Sequence, residues 1–284
     1  MDSFVHEREV FVKIFFKFWL ITALSVLTFP LSAQEGNKLS LSGPLIQGGM
    51  IRGETEPGSK IFLDEKPVKI SENGKFVIGF HRDAKTKWIL KIKFPHMAWA
   101  EQVLTVKPRT YNIERVDGLP QKTVNIPPEE LARRKREGGM VRAARADQSS
   151  AMDWTQQFIL PAKGRISGVY GSQRVLNGEP RFPHYGLDVA APTGSPIWAP
   201  AAGRVVLADP DFLLEGGIVM IDHGFGITSA LFHMNSVDVK TGMVVKQGDQ
   251  IGTVGAKGRA SGPHVDWRVN WYSVRLDPAL LVAE

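Results

Sequence analysis

The sequence predicts a mainly β protein with a small N-terminal β-sandwich, a helical linker and a C-terminal antiparallel β domain. Three observations carry this. Short apolar runs recur between turn signals from Lys38 to Lys107, as the strands of a sandwich do. A charged stretch bounded by prolines follows, with the composition of a helix. From Phe158 onward glycine punctuation recurs, and no amphipathic helical run of about ten residues or more interrupts the β pattern. That combination argues for a compact antiparallel domain.

The chain has 284 residues, 43% of them hydrophobic and 23% charged, an ordinary balance for a soluble globular protein. It is long enough for one large domain or two smaller ones. It contains no cysteine, which excludes disulfides, thiolate metal sites, cysteine nucleophiles and a lipid-anchored cysteine. The net charge of +6 points only weakly to an acidic polymer or membrane surface, because much of the excess lies near the N-terminus and in the linker. No nucleic-acid-binding motif is present, so nucleic acid is not an expected partner.

Residues 1–33 read as a signal peptide. Lys13 and Lys17 precede an apolar run from Phe18 to Phe29, and Pro30-Leu31-Ser32-Ala33 follows. This is the basic, apolar and small-residue order of a secretory signal, with cleavage expected after Ala33. About twelve apolar residues are too few to span a bilayer comfortably. The expected location is therefore outside the cytoplasm, in the periplasm, with no stable membrane span after cleavage.

Residues 38–107 form the expected sandwich. Gly48-Gly49, Glu56–Ser59, Glu72–Lys75 and Arg82-Asp83 separate runs such as Lys60–Leu63, Phe76–Phe80 and Trp88–Ile92. Asn73-Gly74 is a favoured hairpin signal. This part has no paired acids, and His81 and His96 are isolated. Its role is to position substrate, meet a partner or act as a spacer.

Residues 108–157 form the expected linker. Gly118-Leu119-Pro120 breaks the chain, and Pro127-Pro128 before Glu129-Glu130 signals a helix start. The helix should run through Leu131–Arg136, falter at Gly138-Gly139 and resume to about Ala146. Its basic cluster reads as a solvated face.

Residues 158–284 hold four of the seven histidines. In Pro183–Asp188, His184 stands four residues before Asp188; Pro183 and Gly186 exclude a helix, so the pair lies on a turn entering a strand. His233 follows the candidate strand Ile227–Phe232. His264 and Asp266 alternate with Val265 and Trp267, so they share one face of a strand. Histidine nitrogen and carboxylate oxygen are both competent zinc ligands. His223, in an Asp-His-Gly turn, reads as structural. There is no H-E-x-x-H helix and no G-x-S-x-G elbow, which excludes two common hydrolase plans.

In order, His184-x-x-x-Asp188, Ala199–Gly203, Ile221–Gly224, Leu231–Met234, Val245–Gly248, Ile251–Gly255 and Gly262-Pro263-His264 resemble the LytM/lysostaphin-type peptidoglycan metallopeptidases. The resemblance covers about Gly164 to Pro278. It implies an antiparallel β domain whose cleft holds one zinc, and cleavage of stem or bridge peptides of bacterial cell walls. It implies His184 and Asp188 as metal ligands, and His233 and His264 as catalytic residues. Asp266 stands where the family has a histidine as third ligand. Either its carboxylate replaces that imidazole, admitting zinc or another divalent ion, or the domain is a metal-free wall-binding or amidase-regulating module. The first reading makes the protein a zinc endopeptidase acting on peptidoglycan peptides, with other cell-wall enzymes as further partners. His264 is then the base, and His233 the partner of the oxyanion.

Overall fold

The alternating runs before Lys107 form two sheets, as their period predicts. In a computed structural model that describes residues 39–116, 128–146 and 149–283, Leu39–Ser42, Met50–Thr55 and Lys75–Gly79 make one sheet. Lys66–Val68, Lys60–Leu63, Lys87–Lys93 and Trp99–Thr105 make the other. Ile51, Ile61, Phe76, Ile78, Leu90 and Leu104 fill the core between them. The signal-peptide segment and the break at Gly118–Pro120 lie outside the described residues.

The second half is built on a ten-stranded sheet. Its main path runs Val244–Val245, Gly203–Phe212, Gly216–Gly224, Ile227–Val237, His264–Trp271, Leu187–Ala190 and Arg165–Gly168. The main core lies on one face and includes Leu187, Val189, Ile221, Leu231, Val265, Trp267 and Val269. Met50 and Val77 of the first sheet join this core, and Trp271 touches both cores. The strand Gly216–Gly224 is buried at every position, so its second face must also be covered. A helix does this.

That helix, Leu131–Ala146, follows a short turn at Pro128–Glu130. Ala144 and Val141 pack on Val206, Leu207, Phe212, Ile218, Met220, Ala230 and Phe232. Contrary to expectation, it does not falter at Gly138-Gly139. Each glycine costs a helix up to about 1 kcal/mol, but the apolar contacts and two ion pairs outweigh that cost. Arg133 bonds Glu137 at 2.7 Å, and Arg134 forks onto Glu215 at 2.9 and 3.0 Å. The basic cluster is therefore partly engaged by the sheet rather than wholly solvated. A Cβ on Gly139 would meet only the end of the Arg142 side chain, at 3.8 Å. Gly139→Ala should therefore stabilise the protein by about 0.5–1 kcal/mol in denaturant melts.

His223 is fully buried, as its structural reading requires. Its Nδ1 contacts the Ala202 carbonyl at 2.6 Å and its Nε2 the Ser229 hydroxyl at 2.8 Å. The same hydroxyl accepts from the Trp267 indole at 3.2 Å. Burial pulls the imidazole down to about 4, below its unfolded value near 6.5. The unfolded chain then binds the extra proton, so this contribution is whole above about pH 6.5 and is lost as the pH falls toward 4. Melts should show a loss of about 2 kcal/mol between pH 7 and pH 5 from this group, absent in His223→Gln.

Candidate metal centre

Strand pairing brings the predicted ligands together. Leu187–Ala190 pairs antiparallel with His264–Trp271, placing Asp188 opposite Asp266 and Ala190 opposite His264. Directly opposed residues share a face, so the two carboxylates stand side by side. His184 lies on the preceding loop, tied down by its N–H to Ser172 O at 2.7 Å and by Gly171 N–H to its carbonyl at 2.8 Å. One donor atom from each of His184, Asp188 and Asp266 lies within 4.8 Å of the other two.

Glycines seat both carboxylates. A Cβ at Gly186 would stand 2.1 Å from Asp266 Oδ1, and one at Gly168 would stand 2.1 Å from Asp188 Oδ2. Neither position tolerates a side chain without moving a carboxylate.

These residues fit a divalent ion. His184 Nε2 and Asp188 Oδ1 are paired at 3.1 Å, yet they do not align as a hydrogen bond, and both atoms are buried with no other hydrogen-bond partner. Orphaned buried polar atoms are costly, and a shared cation would satisfy both. Tetrahedral zinc ligands stand about 3.4 Å apart given bonds near 2.1 Å, so the set closes on an ion by shifts of about an ångström. One nitrogen and two oxygens suit zinc and also admit harder ions. Burial alone would lower the His184 imidazole, but the Asp188 and Asp266 carboxylates raise it on balance. Proton and metal therefore compete for this nitrogen.

The two remaining histidines face each other beside this cluster, their ring centroids 4.8 Å apart. His264 Nδ1 is 2.8 Å from Gly262 O, and His233 Nδ1 is 2.8 Å from Lys257 O. A carbonyl only accepts, so each Nδ1 carries the hydrogen and each Nε2 is left as the free acceptor. Burial, ahead of other effects, lowers the His233 imidazole, which keeps it neutral near pH 7. His264 Nε2 lies 4.0 Å from Asp188 Oδ1.

His233 owes its place to a bulge. Gly217 pairs with Met234 but Val219 with Leu231, so the His233 strand carries one extra residue there. His233 takes a left-handed backbone, φ +64°, which is uncommon for any residue but glycine. Simple alternation would send it to the face opposite Phe232; the bulge re-aims it. Its N–H donates to Glu215 O at 2.7 Å, and Arg134 of the helix holds the Glu215 carboxylate.

Arg268 is the residue that sequence reading missed. Its Nε lies 3.1 and 3.0 Å from the Asp266 oxygens, and its Nη2 2.6 Å from Oδ2. The guanidinium rests over the Phe232 ring at 4.9 Å. Burial would raise the Asp266 carboxyl, but Arg268 outweighs it and holds the carboxyl below its ordinary range. Counting His184 as neutral, Asp188, Asp266 and Arg268 sum to a single negative charge. Two imidazoles and one carboxylate would give the same sum, so the aspartate brings its own counter-ion. Tyr185 packs in a ring cluster with Tyr170 and His81, and Trp198 lies under Lys163; neither contact is with the donor set.

Residues 182–278 match the family model for Peptidase family M23. A crystal structure of a Pseudomonas aeruginosa protein assigned to peptidase M23 superposes with a TM-score of 0.63 at 31% identity, over 84% of this chain and 94% of that one. The chain belongs to peptidase family M23. It is 42% identical over 105 residues to the peptidoglycan DD-endopeptidase ShyC of Vibrio cholerae, covering 36% of this chain and 24% of that protein. It is 33% identical over 132 residues to the cell division protein DipM of Caulobacter vibrioides, covering 44% and 21%. The chain thus spans about a quarter or less of the length of these two relatives.

Proposed function

We propose that this protein is a secreted, periplasmic zinc endopeptidase that hydrolyses peptide bonds in the stem or cross-link peptides of peptidoglycan. The observation that carries this reading is the joint geometry of five side chains: three donors within 4.8 Å and two imidazoles beside them with both Nδ1 atoms committed to carbonyls. That relatives such as ShyC are named peptidoglycan DD-endopeptidases supports the choice of substrate. No helix among the described residues is long and apolar enough to cross a membrane.

His184, Asp188 and Asp266 would hold the ion, which when bound supplies Lewis-acid activation of water and of the scissile carbonyl. His264 takes the proton of the attacking water at its free Nε2, and later returns it to the leaving amine. His233 faces the developing oxyanion with its ring fixed by the carbonyl-bound Nδ1; the imidazolium form, which takes its second proton from solvent before the substrate binds, donates from Nε2 to that oxygen. The bulge keeps the two rings together, and the helix braces the bulge through Arg134 and Glu215.

A second reading is favoured by one observation, the fork of Arg268 on both Asp266 oxygens. If the guanidinium displaces the metal outright, the protein is a wall-binding or amidase-regulating module. Incubation with isolated sacculi separates the two. The enzyme releases new amino termini that chelator abolishes and zinc restores; the module binds sacculi and releases none.

A further inference from the structure

The three donors are not held alike. Asp188 and Asp266 stand opposite each other on paired strands of the ten-stranded sheet, so the sheet fixes both. His184 stands at the foot of a hairpin outside that sheet. The foot is closed by Gly171 N–H to His184 O at 2.8 Å and His184 N–H to Ser172 O at 2.7 Å. The hairpin strands, Gln173–Leu176 and Glu179–Pro180, form a separate three-stranded sheet with Ile113–Val116, the strand that follows the sandwich. Gln173 N–H donates to Asn112 O at 2.9 Å beside that pairing. One ligand is thus tied to the N-terminal half of the chain, and the other two to the C-terminal sheet.

A sandwich residue reaches the hairpin's foot. Arg82 lies in a turn closed by Ala84 N–H on His81 O at 3.0 Å, just after the strand Lys75–Gly79. It is buried, and its Nε donates to Gly171 O at 2.9 Å. Gly171 is therefore bonded on both sides, its carbonyl to Arg82 and its N–H to the His184 backbone. Tyr111 fixes the approach: the guanidinium rests over its ring at 4.4 Å, and its hydroxyl donates to Arg82 O at 3.3 Å. A Cβ on Gly171 would stand 2.0 Å from that ring, and φ there is +86°, so only glycine admits this contact. Beyond the ligand, Tyr185 packs on His81 of the same turn, with ring centroids 5.7 Å apart. The turn thus grips the chain at both flanks of His184. A charged donor on a carbonyl is among the stronger hydrogen bonds.

We propose that Arg82 is a positioning residue for the metal centre: through Gly171 it holds His184 where an ion shared with Asp188 and Asp266 requires it. The sandwich is then a functional part of the site rather than a spacer. The inference rests on the reading of His184 as a ligand, but the brace itself is tested without metal. Amide hydrogen exchange is followed in the full chain freed of metal, and zinc affinity is measured by competition with a chromophoric chelator. Arg82→Met should speed exchange at the Gly171 and His184 amides about tenfold, the worth of one such bond. It should weaken zinc binding about 10–100-fold, as loss of a ligand's support does. Arg82→Lys keeps one charged donor on a flexible stem, so it should show smaller changes of the same kind, and it carries the test if the methionine variant does not fold. Arg52 is the control, a sandwich arginine that donates to carbonyls outside the hairpin, Trp154 O at 3.2 Å and Gln156 O at 2.8 Å. Arg52→Met should change neither the two amides nor zinc affinity. Unchanged amides in the Arg82 variants, or zinc bound as tightly as by the wild type, overturns the proposal. So does equal loss in Arg52→Met, or equal speeding of amides in Ile227–Val237, which would mark general destabilisation. Amides freed by Arg82→Met in a protein whose wild type binds no zinc would sink the ligand reading of His184 alone.

Discussion

Replacing Arg268 by methionine is expected to destabilise the metal-free protein by about 3 kcal/mol, because it strands a buried charge. Asp266 is only 2% exposed, and it faces Asp188 across the strand pair. Methionine retains an apolar contact with Phe232, so packing accounts for little of the loss. A bound divalent ion then serves as the counter-charge of Asp266, and saturating zinc should recover most of the deficit by mass action. Zinc should therefore raise the melting temperature of Arg268→Met more than that of the wild type. The pH dependence has a definite sign. In the wild type the Asp266 carboxyl is depressed, so its contribution is present above the unfolded value near 3.9 and is lost as the pH falls below it. The variant lacks that contribution, so its deficit should be full at pH 7 and shrink as the pH falls below about 4, toward pH 3. A loss that is the same with and without zinc, at both pH values, would show that Arg268 is only packing.

His264→Ala is expected to lower kcat/KM on peptidoglycan peptides by about 10²–10⁴-fold, the usual worth of a positioned base, without loss of metal. His233→Ala should cost about 10²–10³-fold as an oxyanion partner does. Because the rings touch at 4.8 Å and act on one transition state, the double variant should lose less than the sum of the two effects on a logarithmic scale. Metal content by atomic absorption, read beside steady-state kinetics, separates these roles from ligation. A His264→Ala protein that keeps both its metal and near-wild-type turnover would remove His264 from the mechanism.

Much of this site was legible in the chain because its parts are local. His184 and Asp188 share a short turn, and His264 and Asp266 share a strand face, so period and breakers sufficed to group them. The alternation before Lys107 likewise produced its two sheets. What escaped was non-local. The bulge that re-aims His233 exists only as a mismatch between two strands, and the strand Ile227–Val237 runs past it rather than ending at Phe232. The falter expected at Gly138-Gly139 was a local propensity overruled by a helix face packed on Phe232 and Met220. Arg268 is a different case. It stands two residues after Asp266 on the same face, so the rule that paired Asp266 with His264 also pairs it with Arg268. Only the fork geometry reveals that the pair acts as a neutral unit.

The most direct test is the metal content of the purified protein, dialysed without chelator, beside that of His184→Ala. The account predicts about one divalent ion per chain in the wild type and none in the variant, with new amino termini released from sacculi only by the wild type. A wild-type protein that holds no stoichiometric metal and releases no amino termini would contradict it, and would leave Arg268 as the permanent partner of Asp266.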